Sequence, residues 1–205
     1  MMRDTQANVE GAAAGELLDV VDESGEPTGE VVTRARAHAE GIPHRTAHVW
    51  LVRERDGTHQ VLLQRRAETK SYPLCLDVSS AGHIPAGVDY VDSALRELTE
   101  ELGVTATPSE LVCCGHRRTH FEGTFFGRPF LDYQYVRVYL LPKDVDEGGL
   151  VLQESEVAGV VWMDLDACRR AIAEGTIKHC IAPVELDMVA AALEERTHAE
   201  PGRPR

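Results

Sequence analysis

Basic residues are the scarce class in this 205-residue chain: 21 Lys and Arg stand against 34 Asp and Glu, a formal net charge of −13. Nucleic-acid binding leans on clustered cations that displace counterions from phosphates, so wrapping of a long polyanion is excluded and no nucleic-acid polymer is expected as a partner. Paired cysteines are missing too. The five cysteines are odd in number, two of them adjacent at Cys113 and Cys114, and no CxxC pair occurs, which argues against a disulfide framework and a thiolate zinc site. A reducing cytoplasm is the expected compartment. No stretch approaches the roughly 18 apolar residues of a membrane span, and the opening MMRDTQANVEGAAAGE lacks the apolar centre of a signal peptide. No membrane partner is expected. Repeats and low-complexity arrays are absent as well, leaving 43% hydrophobic residues in 22.6 kDa, enough for one well-packed domain and short for two. That domain is expected over residues 16–196, between a disordered tail at 1–15 and a polar tail at 197–205.

Turn residues and apolar periodicity divide the rest. An apolar strand Leu17–Val21, a turn with Asp22, Ser24, Gly25, Pro27 and Gly29, and a return strand Glu30–Thr33 read as a hairpin, followed by a short basic helix Arg34–Ala39. Thr46–Val52 and Gln60–Arg66 read as buried strands joined at Asp56-Gly57. Further strands are expected at Leu111–Gly115, Thr124–Gly127, Tyr133–Leu141 and Glu156–Met163, the Val136, Val138, Leu140 alternation being the clearest. Asp164 caps a helix Leu165–Glu174, and Pro183 starts a last one, Val184–Arg196. Strands mixed with a few helices predict an α/β sandwich around a mixed sheet.

The stretch that carries chemistry is Gly82–Val104, GHIPAGVDYVDSALRELTEELGV, a glycine-rich loop running into an acidic helix. From Asp92 onward Ala94, Leu95, Leu98 and Leu102 recur at helical spacing, while Glu97, Glu100 and Glu101 fall at i, i+3 and i+4 on one face. Such a run can be no more than a solvated polar face. Here it is accompanied by Gly82 and Gly87 before the helix, Arg96 beside the first Glu, and Gly103 placed to cap the last turn. Three clustered carboxylates repel unless a cation neutralises them, and hard oxygen ligands select Mg²⁺ or Mn²⁺. Mg²⁺ keeps waters and takes phosphate oxygens, so the face suits chemistry at a diphosphate. Arg65, Arg66 and Lys70 form the compact basic cluster upstream, with a solvated loop as the plain reading and phosphate oxygens as the functional one.

Arg96 to Val104, RELTEELGV, matches without a gap the REUxEExGU half of the Nudix box, where U is a bulky aliphatic residue, and Gly82 stands where GX5EX7REUXEEXGU begins. The chain thus resembles the Nudix hydrolases. The glutamate expected six residues after Gly82 is Val88, with Asp89 next to it; in the family that glutamate supports the box arginine. The resemblance implies an α/β/α Nudix sandwich, a small-molecule diphosphate as substrate, Mg²⁺ (or Mn²⁺) held by Glu97, Glu100 and Glu101 with help from the Gly82 carbonyl, and a water attacking phosphorus. Arg96 belongs to the same catalytic set. One of the box glutamates, Glu154 or Glu156 is the expected general base, and Arg66 and Lys70 are the expected substrate-binding pair. The family often dimerises, which admits a homodimer.

HAEGIPHRTAHVWLV, LLQRRAETKSYP and LDVSSAGHIPAG, together with the box, look like the branch of the superfamily related to isopentenyl-diphosphate isomerase. In the isomerases histidines bind a metal; His83 and His44 match two of them, while His38 lies six residues before His44 where the isomerase spacing is seven. Trp50 matches a core tryptophan. Ala81 occupies the position of the isomerase cysteine, and a methyl group moves no proton, so hydrolysis is the expected reaction and isomerisation, or nucleotide sensing without catalysis, the alternatives. His48 reads as a satisfied interior histidine, His116, His120 and Phe121 as lining for a substrate pocket, and Tyr139 and Trp162 as core.

Overall fold

A computed structural model describes residues 15–125 and 127–199. The tails expected at 1–15 and 197–205 therefore lie almost wholly outside the described residues, and where they are described Gly15 is in a turn and 197–199 are helical. The elements run β1 Leu17–Val21, β2 Pro27–Thr33, α1 Arg34–Glu40, β3 His44–Arg55, β4 Thr58–Arg66, β5 Leu76–Asp77, β6 Ser80–His83, α2 Tyr90–Leu102, β7 Val112–Phe125, β8 Arg128–Pro142, β9 Val157–Asp164, α3 Leu165–Ala173 and α4 Pro183–Ala199. Seven strands follow the order β5-β4-β3-β8-β7, with β6 on β3 and β9 on β4, while β1 and β2 pair separately. The class is α/β, a mixed sheet with flanking helices, as expected. No helix among the described residues is long and apolar enough to cross a membrane.

Several boundaries move. The return strand of the first hairpin begins at Pro27 rather than Glu30, since a proline at a strand's first position gives up no needed donor. The strand expected at Leu111–Gly115 and the Thr124–Phe125 part of that expected at Thr124–Gly127 belong to one strand, β7, while position 126 lies outside the described residues and Gly127 is in a turn; burial in β7 alternates residue by residue through the polar run Arg117–His120. Period-two patterning survives there with polar residues on both faces, which a search for apolar alternation passes over. The two short strands β5 and β6 lie in a stretch for which periodicity predicts no element. The last helix extends from Pro183 to Ala199, past the Arg196 expected as its end.

Contacts group the chain into two compact units. One comprises the chain up to Ala47 with Gly82–Ser93 and His116–Arg137; the other comprises His48–Ala81, Ala94–Gly115 and the chain from Val138. In the first, Leu18, Val32 and Ala37 form a buried cluster that takes in Val20 and Ile42. Thr33 caps α1 through its side chain, and Gly41, at φ 66°, ends it. In the second unit, β4 and β9 pair antiparallel with Leu62 opposite Trp162 and Leu63 opposite Val161. Trp50, Leu51, Leu62 and Leu63 are fully buried there, and Tyr139 and Trp162 are core residues, as expected. The Ser79 hydroxyl stitches two strands, accepting from Leu51 N–H at 2.8 Å and donating to the Leu62 carbonyl at 2.6 Å. Glu185 of α4, 1% exposed, accepts from the Trp50 indole N–H at 2.9 Å and meets His48 Nδ1 at 2.9 Å. His48 is thus a satisfied interior histidine.

The helix that carries the acidic run buries Ala94, Leu98 and Leu102. It ends where Gly103, at φ 68°, donates to the Thr99 carbonyl at 3.0 Å. A Cβ on Gly103 would stand 2.9 Å from the Val151 Cβ and 3.2 Å from its backbone nitrogen. Left-handed backbone costs a residue with a Cβ roughly 1–2 kcal/mol, and the Val151 contact adds to that. Gly103→Ala is expected to lower unfolding stability by about 2 kcal/mol or more, read as a lower urea midpoint at unchanged m-value.

Candidate active site and histidine centre

In the second unit the box glutamates sit at graded depths. Glu101, on the same stripe as Leu98 and Leu102, is 5% exposed, and its Oε2 accepts from the Ala81 N–H at 3.1 Å. Glu97 is mostly covered and Glu100 is half exposed. Burial pushes the Glu101 carboxyl up to about 8; the Glu97 and Glu156 charges add to the rise, and the Ala81 N–H opposes it. A buried acid with two further carboxylates acting on it is a site short of positive charge. Arg96 supplies part of it locally, donating to Glu97 Oε1 at 2.6 Å and to Glu100 Oε2 at 2.8 Å. It does so although Val88 stands in place of the box glutamate.

The expected phosphate ligands are engaged inside the protein. Arg66, leaving β4 at a register shift, donates from Nη1 to Asp77 Oδ2 at 2.7 Å, from Nε to the Ser71 carbonyl at 2.7 Å and from Nη2 to the Ser71 hydroxyl at 3.1 Å. Asp77, on β5, is a partner that sequence reasoning missed. Lys70 pairs with Glu156. The loop that follows Lys70 holds Tyr72 and Leu74 in left-handed conformation, at φ 54° and 59°, an unusual choice for side chains of that size. Of the two candidates for general base outside the box, Glu154 is exposed and Glu156 is the half-buried one whose charge acts on Glu101.

The first unit holds a separate constellation. His38 on α1, His44 at the start of β3, His83 at the end of β6 and Asp132 on β8 each bring a ligand atom within 4.8 Å of the others. His38 Nε2 and His83 Nε2 lie 3.1 Å apart, so one of the two carries the shared proton. His44 Nδ1 lies 2.8 Å from the Ile42 carbonyl and must donate to it. That bond assigns the lone pair to Nε2, a buried atom with no hydrogen-bond partner among the described residues. Burial holds His38 down at about 3 and His44 at about 4. Both rings are therefore neutral at pH 7, and the 3.4 Å approach of His38 Nδ1 to Asp132 is a contact with a neutral ring rather than an ion pair. Neutral imidazoles with one carboxylate are the donor set of a borderline divalent ion such as Zn²⁺ or Fe²⁺, and the orphaned Nε2 fits that group. The six-residue separation of His38 and His44 thus permits convergence. Asp132 carries no signal in the sequence, being one polar residue in a long strand.

The expected pocket trio does not converge. His120 is exposed and paired with Glu122 and Tyr133, whereas Phe121, one residue on, faces the other side and packs on Phe125 and Phe130. His116 is exposed on the side of His120. Strand alternation separates them.

Comparison with known proteins is consistent. The NUDIX domain family matches residues 42–181. An uncharacterized Nudix hydrolase of Clostridium acetobutylicum is 33% identical over 156 residues, 76% of this chain and 73% of that protein. Nudix hydrolase 3 of Arabidopsis thaliana is 37% identical over 166 residues, 78% of this chain but 21% of that protein. Among solved structures, the DR0079 protein of Deinococcus radiodurans superposes with a TM-score of 0.59 at 23% identity, over 87% of this chain and 98% of that one. The NUDIX domain of Shewanella oneidensis NrtR, solved with ADP ribose, gives 0.51 at 16% identity, over 75% of this chain and 87% of that one. At these identities the likeness to solved structures is one of fold.

Proposed function

The chain belongs to the Nudix family of hydrolases, and on that premise we propose that it cleaves a diphosphate linkage in a nucleoside diphosphate derivative or another organic diphosphate, with Mg²⁺ as cofactor and Mn²⁺ as a substitute. The observation that carries the reading is Glu101: a carboxyl buried at the inner end of the box, under the influence of Glu97 and Glu156, has chemical use for a divalent cation and little use without one. Glu97, Glu100 and Glu101 would hold the ion. Bound there, Mg²⁺ supplies charge neutralisation at phosphate oxygens and acidifies water.

The protein's own groups do the rest. Arg96 balances Glu97 and Glu100 and sets their rotamers. A phosphate reaching Lys70 competes with Glu156 for it; once the lysine turns to the substrate, Glu156 is released as an acceptor for the proton of the attacking water. Arg66, locked by Asp77 and Ser71, presents a fixed positive charge to a distal phosphate. Five free cysteines fit the cytoplasm as the working compartment. Meeting of His38, His44 and His83 supports placing the chain near the isomerase-like branch, while Ala81 keeps the reaction hydrolytic.

A screen over nucleoside diphosphate sugars, dinucleoside polyphosphates, other nucleotide diphosphates and prenyl diphosphates, with and without Mg²⁺ and with added phosphatase so that the phosphomonoesters left by hydrolysis are counted as phosphate release, tests this. Metal-dependent release from at least one compound is expected. Dimethylallyl product from isopentenyl diphosphate, or ligand-induced thermal stabilisation with no release from any compound, would overturn it.

A further inference from the structure

The stretch that leads into the acidic helix is tied down by a buried ion pair that neither the box nor the histidine centre uses. Asp19 on β1 and Arg45 on β3 are 9% and 8% exposed. The oxygen and the nitrogen that join them are each shared with the backbone of the loop. Asp19 Oδ2 accepts from Arg45 Nη2 at 2.7 Å and from the Gly87 N–H at 2.9 Å, while the same Nη2 donates to the Val88 carbonyl at 3.0 Å. Main-chain bonds run alongside: Ala86 N–H to the Leu17 carbonyl at 2.8 Å and Ile84 N–H to the Arg45 carbonyl at 3.1 Å. A little further on, the Tyr90 ring at the first turn of α2 takes the Arg45 guanidinium at 5.3 Å and that of Arg137 at 4.9 Å from its centroid. Asp89 accepts from the Val91 N–H at 2.8 Å, closing the helix start.

Stability alone is a poor account of this arrangement. A buried ion pair is often matched or exceeded by apolar residues of similar volume, and Arg45 Nε has no hydrogen-bond partner among the described residues. What apolar residues could not do is hold a backbone N–H and a backbone carbonyl of adjacent loop residues at one point. From this we infer that Asp19 and Arg45 are positioning residues of the hydrolase: they fix residues 84–89 and hence the orientation in which α2 sets out, carrying its glutamates to the diphosphate. Val88 leaves the loop with no carboxylate of its own at that position, and Asp19 brings one from β1. The inference rests on the diphosphate hydrolysis proposed above.

The test is the double variant Asp19→Leu/Arg45→Met, which removes both charges together and avoids stranding either. It is compared with wild type for thermal unfolding, for kcat, KM and the Mg²⁺ concentration giving half-maximal rate on the substrate found by the screen, and for amide hydrogen exchange. The expected result is a cooperatively folded protein with faster exchange at Gly87 and its neighbours, a several-fold higher Mg²⁺ requirement and a kcat reduced by about 10- to 100-fold, as misplacement of catalytic groups by an ångström produces. Arg45→Lys, which keeps the charge but not the fork, is expected to fall between. A folded double variant with wild-type kcat and Mg²⁺ requirement overturns the inference; so does Arg45→Lys with both unchanged, should the double variant fail to fold. If wild type hydrolyses no diphosphate, the proposed function fails by itself, and unchanged exchange at residues 84–91 then overturns the clamp independently.

Discussion

Glu101→Gln is expected to cut Mg²⁺-dependent turnover by at least about a hundredfold, the low end of what a metal ligand or proton acceptor contributes, and to leave the fold intact. The amide is close in shape to the protonated acid and still offers an oxygen to the Ala81 N–H. Its effect on stability has a definite sign. Folding raises the Glu101 pKa from an ordinary 4.5 to about 8, so in metal-free protein this group's contribution is fully present below pH 4.5 and is lost as pH rises through about 8. Glutamine does not titrate. Without metal, the variant should therefore melt at nearly the wild-type temperature at pH 4.5 and above it at pH 8, with the gap opening between those values. Melting curves with chelator at several pH values, beside rates in Mg²⁺, check both halves. Wild-type turnover in the variant would remove Glu101 from the catalytic set.

Asp132→Asn and His44→Asn are expected to abolish stoichiometric binding of a borderline divalent ion such as Zn²⁺ or Fe²⁺ to the histidine centre. Loss of a residue that only orients a ligand costs about 10–100-fold in affinity, and loss of a ligand should exceed that. The Asp132→Asn side chain keeps an acceptor oxygen for the Gln134 amide, which donates to Asp132 at 2.8 Å, so packing is preserved while the charge goes. The pH dependence runs opposite to that of Glu101. His38 and His44 have folded values of about 3 and about 4 against an ordinary 6.5, so their contribution is present above pH 6.5 and is lost as pH falls through the folded values. Protons compete poorly for these nitrogens. Metal retained by wild type after dialysis should persist below pH 6.5, where free histidine would release it, and fail toward pH 4. Metal content by mass spectrometry across that range decides. Retention of a full equivalent by the Asp132→Asn variant would take the carboxylate out of the ligand set.

Sequence patterning reached the elements wherever one face is apolar and the other polar. The box helix is of this kind; the β3–β4 pair was found instead by its short continuous apolar runs and the hairpin at the start by its turn residues, and the centres of all three needed no correction. It failed where alternation is polar on both faces, as in β7, and where strands are too short for any period, as in β5 and β6. The box residues were legible because they fall in nine consecutive positions, Arg96 to Val104. Residues outside the box were not: Asp77 beside Arg66, Asp132 among the histidines, and the Asp19–Arg45 pair each meet partners distant in the chain, and a single acid or base in a strand looks the same whether it faces water or a buried counter-charge. Spacing along the chain also misled for His38 and His44, because a helix followed by a strand can bring rings together at more than one separation.

The acceptor role of Glu185 bears on how short the polypeptide can be made. A chain ended before Pro183 would leave an indole N–H in the interior without its Glu185 acceptor, beside an imidazole deprived of its hydrogen-bond partner, although the family match itself stops at residue 181. The final helix is therefore part of what completes the interior around Trp50, and trimming to the boundaries of the family domain is expected to cost roughly 1–3 kcal/mol for the stranded indole N–H alone.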